Sequence, residues 1–375
     1  MEGNTPVLIA LMNDASDVVT FLIKSDADLN VVNKKQHTPA HYLAKSSNIA
    51  LIKSLAKKNM NWNAPDDQGK TPVVIAAEAG NAAVFEFILT KLGGDATTTT
   101  PEGETLAHIV AMCGHASLLP ALSAGGAPLD QPNENGVKPL HLGAQSGNVA
   151  VIEGLLKLMA VVNSTDDAGD TPIHYAARNG HGAAIDTLVQ KGADINARGA
   201  KGRTALHIAT LAENIDLINN LNEKGIDVAM KDEDGCTALH LALPSKNKAL
   251  VDTLLAINVP TNASMKDGTT ALHIVAALGV PDIVRSIVNV NTEVNIKNSK
   301  NEMPLHIAAS VGDVDTCSIL IEKGADVNAK DENGCAPLHR AVENRRIAVI
   351  ERLKAGNANI NAKKGNGETA LHIAT

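Results

Sequence analysis

A phrase close to Thr-Pro-Leu-His recurs every 33 residues from one end of this chain to the other. Its first position falls at 5, 38, 71, 105, 138, 171, 204, 237, 270, 303, 336 and 369; ten of the eleven spacings are 33 and one is 34. A fixed period of this size restricts the fold to a solenoid, in which no repeat can bury its apolar face without a neighbour. Length alone would suggest two or three globular domains. The unbroken period overrides that, and no linker, low-complexity tract or charge block interrupts it. The expectation is one repeat domain over 1–375, its last repeat truncated.

Each repeat reads locally as a turn and two helices. A Gly lies two residues before the Thr position in ten repeats; Gln36 and Asn301 replace it in the other two. Gly there suits a hairpin turn that needs positive φ. Thr follows as a helix N-cap, and Pro fits the first helical position. Six first helices end at a Gly: Gly80, Gly114, Gly147, Gly180, Gly279 and Gly312. A second helix then carries an apolar stripe, as in Ile185, Leu188 and Val189. Hydrophobic residues make up 44% of the chain but aromatic ones only 2%, so the shared core must be thin and aliphatic. Lys138, Met303 and Ala336 stand where Thr is the rule. Each should forfeit a capping acceptor at a cost of about 1 kcal/mol, which makes residues 300–375 the expected weak stretch. The extra residue of the 34-residue repeat falls near Lys91 to Gly94, as a lengthened helix end or loop.

These phrases resemble ankyrin repeats. The fullest matches are Thr171-Pro172-Ile173-His174-Tyr175-Ala176 and Thr204-Ala205-Leu206-His207-Ile208-Ala209, with Lys323-Gly324-Ala325-Asp326-Val327-Asn328-Ala329 after a second helix. The resemblance covers essentially the whole chain. It implies an all-α solenoid of helix-turn-helix repeats with short β-turn or hairpin tips, in a single elongated curved domain. It further implies non-catalytic binding of another protein on a concave face lined by the tips and first helices, as in a scaffold or adaptor. On this chain that face maps to an apolar strip of Leu211, Leu278 and Val311, rimmed by Lys201, Arg203, Asp267, Lys300 and Glu302. Ordinary helix packing is the other reading of the strip. Trp62 is either an anchor at a tip or a cover over the stack.

The repeat accounts for every candidate chemical residue in the sequence. Ten of the 13 His occupy the motif position, one per repeat, with Leu8 and Val74 in the other two. Zinc ligands must converge on one centre, whereas these rings lie a layer apart. The expected role is a half-buried ring bonded near the helix start and the next turn. His37, His115 and His181 fall in turns or after helix-ending Gly residues and read as structural or solvated. The turn carboxylates, such as Asp166, Asp167 and Asp232, line an open surface rather than the shared cleft that general acid–base work needs. The expectation is therefore no catalytic residue, no metal, no cofactor and no small-molecule substrate. Cys113, Cys236, Cys317 and Cys335 are isolated, the usage of a reducing compartment such as the cytoplasm. The formal charge of −8 is spread along the chain and argues against nucleic acid and anionic membranes as partners. No run approaches the roughly 18 apolar residues of a membrane span.

The sequence opens almost directly on a Thr-Pro and stops at Thr375, seven residues into a first helix whose Leu371 and Ile373 look like interior residues. Two expectations follow. The chain is a piece of a longer array, or it has a naturally short terminus. The former favours the second functional reading: the recognition arm or a fragment of a larger enzyme, channel, toxin or host-directed bacterial effector.

Overall fold

The computed structural model describes residues 3–290 and 292–374; Thr375, on which the reading of the C-terminal end partly rests, lies outside them. The described residues form 23 α-helices and three 3-10 turns, with no strand among them. Isolated antiparallel bridges at Thr99–Thr105, Ser264–Thr270 and Lys363–Thr369 mark hairpin tips. The chain divides into two compact units, Met1–Asp194 and Ile195–Thr375. Among the described residues, no helix is long and apolar enough to cross a membrane.

Within each unit the repeats build one aliphatic core. Leu43, Ile52, Phe85, Ile88, Leu106, Leu140 and Leu155 are fully buried in the first; Leu239, Val251, Leu272, Val284, Leu305 and Leu320 are in the second. Ala76, Ala176, Ala209 and Ala308 are completely covered, as their place at the helix contacts requires. Trp62 is 4% exposed, so it covers the stack and is not a tip anchor. The added residue of the long repeat extends the second helix: Ala82–Lys91 has ten residues, against nine in Val149–Lys157. Two prolines interrupt the pattern by removing a helical N–H. Pro120 splits a second helix into a 3-10 turn, Ala116–Leu118, and Leu119–Ala124. Pro244 turns the end of a first helix into the 3-10 turn Leu243–Ser245.

The first helices are not capped as the sequence suggested. The backbone N–H of the Thr position donates to Nδ1 of the motif His three residues on, at 3.0 Å for Thr38–His41 and 3.2 Å for Thr270–His273. The Thr hydroxyl lies 2.9 Å from that same nitrogen in His41, His108 and His207. The two repeats that lack the His confirm its role, because Thr5 Oγ1 and Thr71 Oγ1 are buried with no partner. A hydroxyl that served the helix N–H groups would be satisfied there too. Lys138, Met303 and Ala336 keep the backbone bond to His141, His306 and His339, so the expected weakness of 300–375 loses that cause. True side-chain caps sit on the second helices instead: Asn148, Asn214, Asn247 and Asp313 accept from the N–H three residues on.

Because an amide N–H can only donate, Nδ1 of the motif ring is an acceptor and the proton resides on Nε2. That Nε2–H donates into the hairpin of the following repeat: His41 to Lys70 O at 3.0 Å, His108 to Val137 O at 2.8 Å, His273 to Glu302 O at 3.0 Å. The rings of His41, His108, His141, His207, His240, His273 and His306 are buried, not half-buried. A second seam runs through the loops after the second helices. Asn63, Asn163, Asn295 and Asn328 each accept from a backbone N–H of the next loop and donate to one of its carbonyls.

Two predictions follow from these bonds. Replacing Thr71 by Val removes a buried hydroxyl with no partner and is expected to be neutral or stabilising. The same change at Thr270, opposite His273, should cost about 1 kcal/mol. Urea melts of the two variants make the comparison, and equal effects would return the capping role to Thr. The second concerns acid. Burial holds all seven of these rings below the ordinary imidazole value, and His240 falls to about 4. The unfolded chain therefore takes up protons first, below about 6.5. Stability is complete above that value and is lost as pH falls through it toward the folded values. The melting temperature should drop between pH 7 and 5, before most carboxylates titrate; a flat profile there, or motif rings titrating by NMR at or above 6.5, would overturn this.

Candidate functional site

The hairpin tips of the second unit are stitched together by backbone. Glu233 N donates to Lys201 O at 3.0 Å, Lys266 N to Asp234 O at 3.2 Å, Ser299 N to Asp267 O at 2.8 Å and Glu332 N to Lys300 O at 3.0 Å. Two of these tips are also closed from within by a side chain. Asp232 Oδ1 accepts from Asp234 N and Cys236 N, and Asn298 Oδ1 from Lys300 N and Glu302 N. With the backbone satisfied in this way, the tip side chains are free to serve as a surface.

The rim residues divide into two groups. Lys201, Asp267 and Lys300 are exposed, and Lys201 sits at a positive φ of 59°. The N–H of Thr269 holds the Asp267 carboxyl below its ordinary value. Arg203 and Glu302 are drawn into ion pairs: Arg203 Nε lies 3.6 Å from Asp232 Oδ2, and Glu302 Oε1 lies 3.4 Å from Arg340 Nη2. Arg340 also meets the buried Asp331 carboxylate at 2.6 Å. An open polar groove of about 820 Å³ lies beside it, lined by Asp331, Arg340, Glu343 and Lys364.

The strip sits at the C-terminal ends of first helices. Leu211 closes Ala205–Leu211 and is 48% exposed; Val311 closes Pro304–Val311 and is 39% exposed. Leu278, at the end of Ala271–Leu278, is partly covered, so it is not the equal of the other two. Pro244 and Ala277 are exposed in the intervening repeats. The unit therefore presents a run of uncharged helix ends beside tips of both signs. Burial pushes the Cys236 thiol up to about 11 and Cys317 up to about 12, so neither is a thiolate near neutral pH.

Two arrangements escaped the sequence. The Asn seam has a signal, an Asn at the same place in most loops, but its bonds run between repeats and do not show within one. The other is a cluster in the first unit, where His37 Nε2 lies 3.3 Å from Asp66 Oδ2 with Asp67 beside them. Its members are about one repeat apart in sequence, and that period is its only signal.

A family model for ankyrin repeats, described as three copies, matches successive overlapping segments from residues 7–100 to 305–375. Residues of this chain are 34% identical over 83 positions to alpha-latrocrustotoxin-Lt1a of Latrodectus tredecimguttatus, covering 22% of this chain and 6% of the toxin. They are 26% identical over 107 positions to inversin of Homo sapiens, covering 28% of this chain and 10% of inversin. The chain thus spans a tenth or less of the length of these relatives. Among solved structures it is similar to the ankyrin repeat domain of Bcl-3, with a TM-score of 0.53 and 29% identity, over 58% of this chain and 99% of that one. Motif, repeat geometry and family model agree along the length of the sequence, and the chain belongs to the ankyrin-repeat family.

Proposed function

We propose that this chain is a protein-binding module, a scaffold or adaptor without catalysis, that takes its partner on the hairpin tips and first helices of Ile195–Thr375. Ankyrin repeats generally mediate protein–protein interaction. The observation that carries the placement is the exposure of Leu211 and Val311 at helix ends. They contribute little to the stack at those positions, which leaves their apolar side chains available to a partner. Lys201, Asp267 and Lys300 form the free part of the rim. Arg203 and Glu302, already paired, hold the tips in shape. Charges of both signs suit a protein partner better than a polyanion. Four free cysteines, three of them buried, support a reducing compartment such as the cytoplasm.

A second reading has its own support. The relatives matched here are far longer than the matched segment, and one of them is named as a toxin. On that reading the same surface is the recognition arm of a larger protein.

The test is the pair Leu211→Asp and Val311→Asp, chosen because Leu278 is partly covered. The double variant should keep the helical signal and the melting temperature while losing capture of the partner in an affinity pull-down. A large fall in melting temperature would show these side chains to be core, and retained capture would place the interface elsewhere.

A further inference from the structure

We infer that His37, Asp66 and Asp67 form a site for one divalent transition-metal ion, joining the hairpin tips that precede Thr38 and Thr71. One nitrogen and two carboxylate oxygens lie within 4.8 Å of one another, and they form the one such group found among the described residues. The His37 Nε2–Asp66 Oδ2 separation is 3.3 Å. That is the edge of a tetrahedron whose metal–ligand bonds are about 2.0–2.1 Å.

His37 and Asp66 are held before any ion arrives, and the backbone of Asp67 is fixed beside them. Asp66 Oδ1 accepts from Gln68 N at 2.9 Å and Lys70 N at 2.8 Å, which leaves Oδ2 directed at His37. Asp67 N donates to Lys35 O at 3.0 Å, fixing the second tip against the first. The His37 ring stacks on His41 with centroids 5.5 Å apart and meets the edge of Tyr42 at 5.6 Å. Such support is what a metal site requires of its surroundings.

The corresponding carboxylates elsewhere show what is different here. Asp166 Oδ2 takes the Tyr175 hydroxyl at 2.7 Å, and Asp331 Oδ2 takes Arg340 at 2.6 Å. The Asp66 side chain is only 3% exposed, and its Oδ2 faces the His37 ring nitrogen, with the Asp67 carboxylate completing the group. Two carboxylates and an imidazole carry negative charge that a cation would neutralise. A mixed nitrogen and oxygen set favours zinc, cobalt, nickel or copper over magnesium or calcium. Three protein ligands leave a coordination position for water or for a partner's side chain.

The chelator-stripped full chain is titrated with Zn²⁺ by calorimetry, and with Co²⁺ by visible absorption. One saturating equivalent of Zn²⁺ is expected, with a rise in melting temperature and a tetrahedral Co²⁺ spectrum. His37→Ala and Asp67→Asn should each weaken binding at least about tenfold. Asp67 is exposed, so Asp67→Asn should leave the metal-free melting temperature unchanged. Absence of saturable binding would reduce the cluster to an ordinary ion pair, and binding that survives both substitutions would place the ion on other histidines; either result overturns the inference.

Discussion

The structure depends on the motif imidazole, present in all repeats but the two with Leu8 and Val74, which in rings such as His41, His108 and His273 uses both of its nitrogens. Nδ1 accepts from the backbone at the start of its own helix, and Nε2 donates to a carbonyl in the next hairpin. The first bond stops the helix from fraying and the second sets the distance to the neighbour, so local order and stacking are enforced by the same ring. It also fixes the tautomer without a carboxylate partner. A ring engaged in this way has no nitrogen left for a metal or for proton transfer. The abundance of histidine in this chain is therefore a property of the stack. His37, outside the motif, is different because its ring is free of that duty.

Around this bond the repeat assigns its residues strictly. Aliphatic side chains fill the space between helices, and glycines supply positive φ where helices end, as at Gly80 and Gly147. At those two positions the neighbour also demands it: a Cβ would come within 2.6 Å of the His115 or His181 ring. His115 and His181 thus pack over the glycine of the preceding repeat, and His115 Nε2 reaches Glu78 O at 3.1 Å. Where proline intrudes, as at Pro120 and Pro244, the helix becomes a 3-10 turn but the buried leucines on either side stay in place. The period survives because packing overrides local propensity.

Most of the fold was legible because the repeat states each local rule many times. Gly, Thr, Pro and the terminal Gly each have one strong physical reading. What was not legible came from positions with two. Thr followed three residues later by a polar ring fits a hydroxyl cap and equally fits a ring cap. Only the orphaned hydroxyls of Thr5 and Thr71 separate them. Leu211 and Leu278 look alike in sequence yet differ in cover, because cover depends on neighbouring repeats and not on helical phase. Trp62 was ambiguous for the same reason. His37 and Asp66 meet only because the solenoid sets equivalent turns side by side, a contact that no pattern within one repeat can contain.

On the proposed reading, the same division lets the tips carry the identity of a partner. The motif positions are bound by the stack: changing one leaves a buried N–H or carbonyl without a partner, at a cost of about 1–3 kcal/mol. The tip side chains have no such obligation, since the hairpin backbone satisfies itself and its neighbour. Lys300 can vary at little cost to the fold, and so can Leu211 and Val311 at the helix ends, whereas Lys201 is held at positive φ and Asp267 accepts from the Thr269 N–H. Recognition is thereby separated from stability, residue by residue. Ion pairs such as Arg203 with Asp232 lie at the border between the two, half-buried at one end and buried at the other. A partner that drew Arg203 outward would leave the Asp232 carboxylate with a buried, unpaired charge, which sets a physical limit on how far this surface can be remodelled by binding.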